Sequence, residues 1–129
     1  AALMRDIQMV LERWGAWAAN EGGSVYYSPI AAGFKSILPF SGKGRPICSD
    51  DDGLIISSAM NALKKKDPYL CTLLELHYIH SISARNIAKR QGISHTQILK
   101  RLQKAEGFID GCLSIMNVKL DVDGDLHHG

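Results

Sequence analysis

The chain has 129 residues, 46% of them apolar, with 15 basic against 13 acidic side chains. That length fits one domain with a real core, and no apolar run approaches a membrane span. Cys48, Cys71 and Cys112 are odd in number and include no Cys-x-x-Cys pair, which argues for a reducing compartment and against a disulfide framework or a zinc finger.

The start Met4-Arg5-Asp6-Ile7 is mixed in charge and enters a helix directly, unlike a signal peptide. Ala1-Ala2-Leu3 is left out of the fold reasoning. Over residues 4–20, Ile7, Val10, Leu11, Trp14, Trp17 and Ala18 recur at three- and four-residue spacing and predict one amphipathic helix. Its two tryptophans could form a stacking surface for nucleic acid, but core packing is the expected use. Glu21-Gly22-Gly23 ends the helix. Ser28-Pro29 then reads as an N-cap with proline at the first helical position, opening a short helix that Pro39 closes. Ile30, Phe34, Ile37 and Leu38 give that helix a buried face.

Residues 40–49 hold Gly42, Gly44 and Pro46 around Lys43 and Arg45, a loop suited to a phosphate, a protein partner or plain connection. It lacks the ending of a nucleotide-binding loop. Asp50-Asp51-Asp52 would suit a divalent metal, but the run ends at Lys64-Lys65-Lys66. Acids in the first turn and bases in the last complement a helix dipole, with Ile56, Ala59, Met60 and Leu63 as the buried face. The helix-end reading is preferred, and no metal or cofactor is expected. Asp67-Pro68 restarts the chain as another cap with first-turn proline.

Ser83 to Ser94 reads as a capped helix, a glycine turn and a second cap. Ser83 and Ser94 are N-caps, and Gly92 supplies a left-handed turn residue. Ala88 is small where the two helices cross, and Ile87, Ile93 and Ile98 fill the wedge. This is the layout of a helix-turn-helix, whose second helix enters the DNA major groove. Beyond Ser94, the apolar positions Ile98, Leu102, Ala105, Ile109, Cys112 and Met116 carry that helix to about Asn117. Gly107 and Gly111 suggest close approach of another helix, residues 4–20. Asp121 to Gly129 is expected to be a disordered tail, and His127-His128 alone makes no metal site.

Charge agrees with the motif. Leu76 to Ala105 contains no Asp or Glu but carries Arg85, Lys89, Arg90, Lys100, Arg101 and Lys104, so the rest of the chain nets −4. Such concentration is the footprint of a polyanion partner; a solvated basic helix is the plain alternative. Ser94, His95, Thr96 and Gln97 occupy the turn that meets base edges, with Lys100 and Arg101 one turn on. Arg85, Lys89 and Arg90 are placed for phosphates, and Lys104 completes the basic face.

Leu73 to His80, with Ile87-Ala88 and Gly92-Ile93-Ser94, resembles DNA-binding region 4 of bacterial sigma factors. Gln91 stands where that class usually has Leu, and Arg101 where it has an apolar residue; Leu99 and Leu102 are expected to supply the packing. A second resemblance runs along most of the chain. Met4 to Trp17, Ser28 to Lys35, Cys48 to Asp52 and Arg101 to Gly107 are similar to the antitermination protein Q family of lambdoid phages and prophages, in its small form without a zinc finger. The resemblance implies a phage late-gene transcription antiterminator that is not an enzyme. It would bind a double-stranded DNA element at the late promoter and join host RNA polymerase paused there with sigma bound. Near the RNA-exit channel, with nascent RNA threaded close by, it would suppress pausing and termination. Lys43 and Arg45 are candidate polymerase contacts, and the implied location is the host bacterial cytoplasm.

The expected fold is all-α: a single compact helical domain over residues 4–120, with a helix-turn-helix at about 69–106 and an extended recognition helix. Two other functions stay open. One is a helix-turn-helix repressor or activator acting only at the promoter. The other is a metal-dependent nuclease or phosphotransferase using the Asp50 cluster.

Overall fold

The apolar stripe of residues 4–20 becomes helix α1, Ile7–Glu21, in a computed structural model that describes residues 6–21, 46–116 and 120. Asp6 Oδ1 accepts from the backbone N–H of Met9 at 3.2 Å, satisfying a first-turn donor. Val10, Leu11, Trp14 and Ala18 are fully buried, so the stripe faces the core.

Helix α2 spans Asp50–Lys66, with its acids in the first turn and its lysines in the last. The N-cap is Ser49, whose hydroxyl accepts from Asp52 N at 3.2 Å. Two indoles fasten α1 to α2: Trp14 Nε1 donates to Ser57 Oγ at 3.1 Å, and Trp17 Nε1 to Asp50 Oδ1 at 2.8 Å. Both rings are therefore core elements and not a stacking surface, at 0% and 8% exposed.

Asp67 caps helix α3, Pro68–Leu74, by accepting from Leu70 N at 3.2 Å, and Pro68 fills its first turn. The lead-in segment does not continue as ordinary helix. Glu75–Ile79 widens into a π turn, closed by His80 N donating to Glu75 O at 3.2 Å. The widened turn lies against α1, where Gly15 meets the Tyr78 carbonyl so closely that a Cβ would overlap it. Gly53 likewise leaves room for the Trp17 ring.

The close approach expected at Gly107 and Gly111 is not there. Both are exposed, with nothing within 4 Å of a Cβ built on them. They lie on the solvent side of their helix, while α1 reaches that helix along the opposite, apolar side. The helix expected over Ser28 to Pro39, the tail expected over 121–129, and both Lys43 and Arg45 lie outside the described residues. All the regular structure among the described residues is helical, and no helix there is long and apolar enough to cross a membrane.

Candidate nucleic-acid interface

Helices α4, Ala84–Gln91, and α5, His95–Ile115, form the expected pair. Ser83 Oγ accepts from Asn86 N, and Ser94 Oγ from Gln97 N, each at 3.1 Å. Between them Gly92 adopts φ 70° and ψ 30°, the left-handed geometry that ends α4, and Ile93 N returns to Ala88 O at 3.1 Å. Ile87 and Ile98 are fully buried, Ala88 is 4% exposed, and Ile93 is half-buried against the same core.

Helix α5 buries one side and offers the other. Ile98, Leu102, Ala105, Glu106, Ile109 and Leu113 face inward. Thr96, Lys100 and Lys104 recur at four-residue steps on the exposed side, with Gln97 beside them. Arg85, Lys89, Arg90 and Ser94 are also exposed, whereas His95 and Arg101 are half-buried. Lys104 further borders a cleft of about 390 Å³ with Leu63, Lys66, Asp67, Leu70 and Phe108. The ten residues singled out in the sequence thus lie on one helix-turn-helix unit, eight of them exposed.

A polar contact that the hydropathy pattern does not contain holds α5 to the body. Glu106 is 6% exposed, yet its Oε2 accepts from Tyr78 Oη at 2.7 Å and its Oε1 from Gln8 Nε2 at 3.4 Å. Burial, together with the Glu106 carboxylate, pushes the Tyr78 hydroxyl pKa far up, so the phenol stays a donor.

The two unusual positions are also explained. Leu102 is buried as expected, but Leu99 is 40% exposed and does not supply the missing packing. Tyr69 does so instead. Its hydroxyl donates to Gln91 Oε1 at 2.5 Å and accepts from Arg101 Nη1 at 2.8 Å, with the guanidinium carbon 5.3 Å from the ring centroid. Tyr69 lies on α3, 22 and 32 residues from its partners. Without a repeat or motif joining the three positions, sequence reasoning had no signal for it.

The Asp50 cluster does not assemble a metal site. Asp50 is bonded to Trp17, and among the described residues no group of three or more His, Cys, Asp or Glu is arranged to hold a metal ion. Another cleft, about 460 Å³, lies between Arg13 of α1 and the segment His77 to Ser83.

An all-helical body carrying a capped helix-turn-helix with a basic, polar outer face defines a helix-turn-helix protein. The chain belongs to the phage antitermination protein Q family, whose model matches residues 4–121. It is 48% identical over 120 residues to the prophage antitermination protein Q homolog QuuD of Escherichia coli (strain K12), covering 93% of this chain and 94% of that one. The probable antitermination protein Q of Acyrthosiphon pisum secondary endosymbiont phage 1 is 45% identical over 125 residues, covering 96% and 84%. Among solved structures, transcription antitermination factor Q21 in complex with Q21-binding-element DNA superposes with a TM-score of 0.62 at 21% identity, covering 90% of this chain and 98% of that one. At that identity the likeness speaks for the shared fold.

Proposed function

We propose that this chain is a non-enzymatic late-gene antiterminator that loads from DNA and then stays with RNA polymerase. The observation that carries the DNA half is the exposed polar and basic face of α5, set in place by the Ser94 cap. Thr96, Gln97, Lys100 and Arg101, with Ser94 and His95, meet base edges of a late-promoter element. Arg85, Lys89, Arg90 and Lys104 hold phosphates. The solved complex of the phage 21 relative with its binding-element DNA supports this reading.

The polymerase half rests on the family's antitermination function. Attachment to DNA alone would oppose promoter escape, so a second contact has to carry the protein along with the enzyme. The loop around Lys43 and Arg45 and the exposed side of α1 are the surfaces we assign to it. Loading takes place on polymerase with sigma bound, and the site of action is near the RNA-exit channel, in the host cytoplasm.

Read-through of a downstream terminator by purified host polymerase tests both halves, on templates with and without the promoter-proximal element. At low protein concentration, read-through should rise only with the element present. A Gln97→Ala, Arg101→Ala double variant should fail at low concentration and regain some read-through at high concentration, because mass action replaces recruitment. A wild-type protein that binds the element yet never changes read-through would instead be a promoter-bound repressor or activator.

A further inference from the structure

Arg101 and Gln91 are the two places where this helix-turn-helix substitutes polar side chains for the usual apolar ones, and both end on the hydroxyl of Tyr69. That hydroxyl has one proton, and Gln91 Oε1 takes it at 2.5 Å. Its lone pairs are thereby left for the Arg101 Nη1 donor at 2.8 Å. A guanidinium has five N–H donors and no acceptor. One donor is spent on Tyr69, and the guanidinium carbon lies over the ring, 5.3 Å from its centroid. The remaining donors stay available, and the residue keeps part of its surface in solvent.

We infer that Tyr69 is a positioning residue for DNA recognition: through its hydroxyl and ring it holds the Arg101 guanidinium in one orientation beside the outer face of α5. The inference rests on the reading of Arg101 as a base contact. A free arginine must give up many rotamers when it engages a base, which weakens binding. An arginine already held by the ring and hydrogen-bonded to its hydroxyl has lost them on folding. The bond also costs little to keep in the complex, since it uses one Nη1 donor and leaves the other donors for DNA. Gln91 acts one step further away, by fixing which way the hydroxyl proton points.

The test uses wild type, Tyr69→Phe, Arg101→Ala, the double variant and Gln91→Leu. The probes are a duplex selected by wild-type protein from a random-sequence library and a scrambled duplex of the same composition. Tyr69→Phe removes only the hydroxyl and keeps the ring, so it should lower affinity for the selected duplex about tenfold, with less than about a twofold change on the scrambled one. Arg101→Ala should lower it further. Adding Tyr69→Phe to Arg101→Ala should then change nothing. Repeating the selection should relax preference at the same base position for Tyr69→Phe as for Arg101→Ala, an effect that general loss of stability would not produce. Gln91→Leu should weaken the same preference to a smaller degree and serves if Tyr69→Phe does not fold.

If Arg101→Ala leaves the ratio of selected to scrambled affinity unchanged, Arg101 is not a base contact and the inference falls with that reading. If Arg101→Ala lowers the ratio but Tyr69→Phe does not, or acts equally without Arg101, only the positioning role is overturned.

Discussion

Trp17 Nε1 donates to Asp50 Oδ1 at 2.8 Å, so the first of three clustered carboxylates is committed to the body's own indole. The ring is 8% exposed, and its N–H spends its one proton on that oxygen in a partly buried bond. Asp50→Ala should therefore destabilise by ~1 kcal/mol in urea unfolding, the net worth of a typical intramolecular hydrogen bond. Asp50→Asn, which retains an acceptor, should lose less. Magnesium should leave the wild-type unfolding temperature unchanged. Stabilisation by magnesium that Asp50→Asn abolishes would mean the carboxylates hold a metal instead.

Glycine substitutions should change stability in opposite directions within one chain. Gly15→Ala gains helix propensity but drives a methyl into the Tyr78 carbonyl, and backbone cannot swing aside as a flexible side chain can. A loss of more than ~2 kcal/mol is expected, near the upper range for overpacked core sites. Gly107→Ala and Gly111→Ala meet open space and should each stabilise by up to ~1 kcal/mol. Thermal unfolding of the three variants reads all of this at once. A stabilised Gly15→Ala would disprove the close contact.

Glu75 gives the fold a pH dependence of unusual sign. Burial raises its carboxyl from the ordinary 4.5 to about 7, with Lys64 pulling weakly the other way. Because the folded value is the higher one, the folded state binds more protons than the unfolded state between those limits. Its contribution is most favourable below about 4.5, declines as pH rises toward 7, and is flat above. Glu75→Gln cannot titrate, so it should be the more stable protein above neutrality, by ~1–3 kcal/mol, with the advantage vanishing in acid. Urea midpoints at pH 4.5 and pH 8 make the comparison; an advantage of the same size at both would rule out titration of Glu75 as the cause.

Salt dependence should separate the two groups of proposed DNA residues. Lys89→Ala should weaken binding to selected and scrambled duplexes alike and reduce the log–log salt slope by ~0.9, one phosphate's share. Gln97→Ala should leave that slope unchanged and cost ~1–3 kcal/mol on the selected duplex alone. Anisotropy titrations across a range of salt concentrations would show it. Equal losses on both duplexes from both variants would remove the division into phosphate and base contacts.

What the sequence determined by itself is what is encoded within a few residues. Ser83, Gly92 and Ser94 each act on backbone groups at most four positions away, so the helix-turn-helix could be read directly, as could Asp67-Pro68 and the charged ends of α2. The buried stripes of α1 and α2, and that of α5 as far as Ile109, were legible for the same reason, since helical periodicity is local; beyond it Leu113 is the buried residue, while Cys112 is half-buried and Met116 is 43% exposed. Tertiary structure decided the contacts between distant residues. Gly15, Gly107 and Gly111 are chemically identical, and only the path of the π turn makes the first a packing requirement and the others surface positions. Glu106 looks like a surface acid until α1 and Tyr78 close over it. The partnership of Tyr69, Gln91 and Arg101 is invisible along the chain because a hydrogen bond depends on distance in space, and folding alone brings those three side chains together.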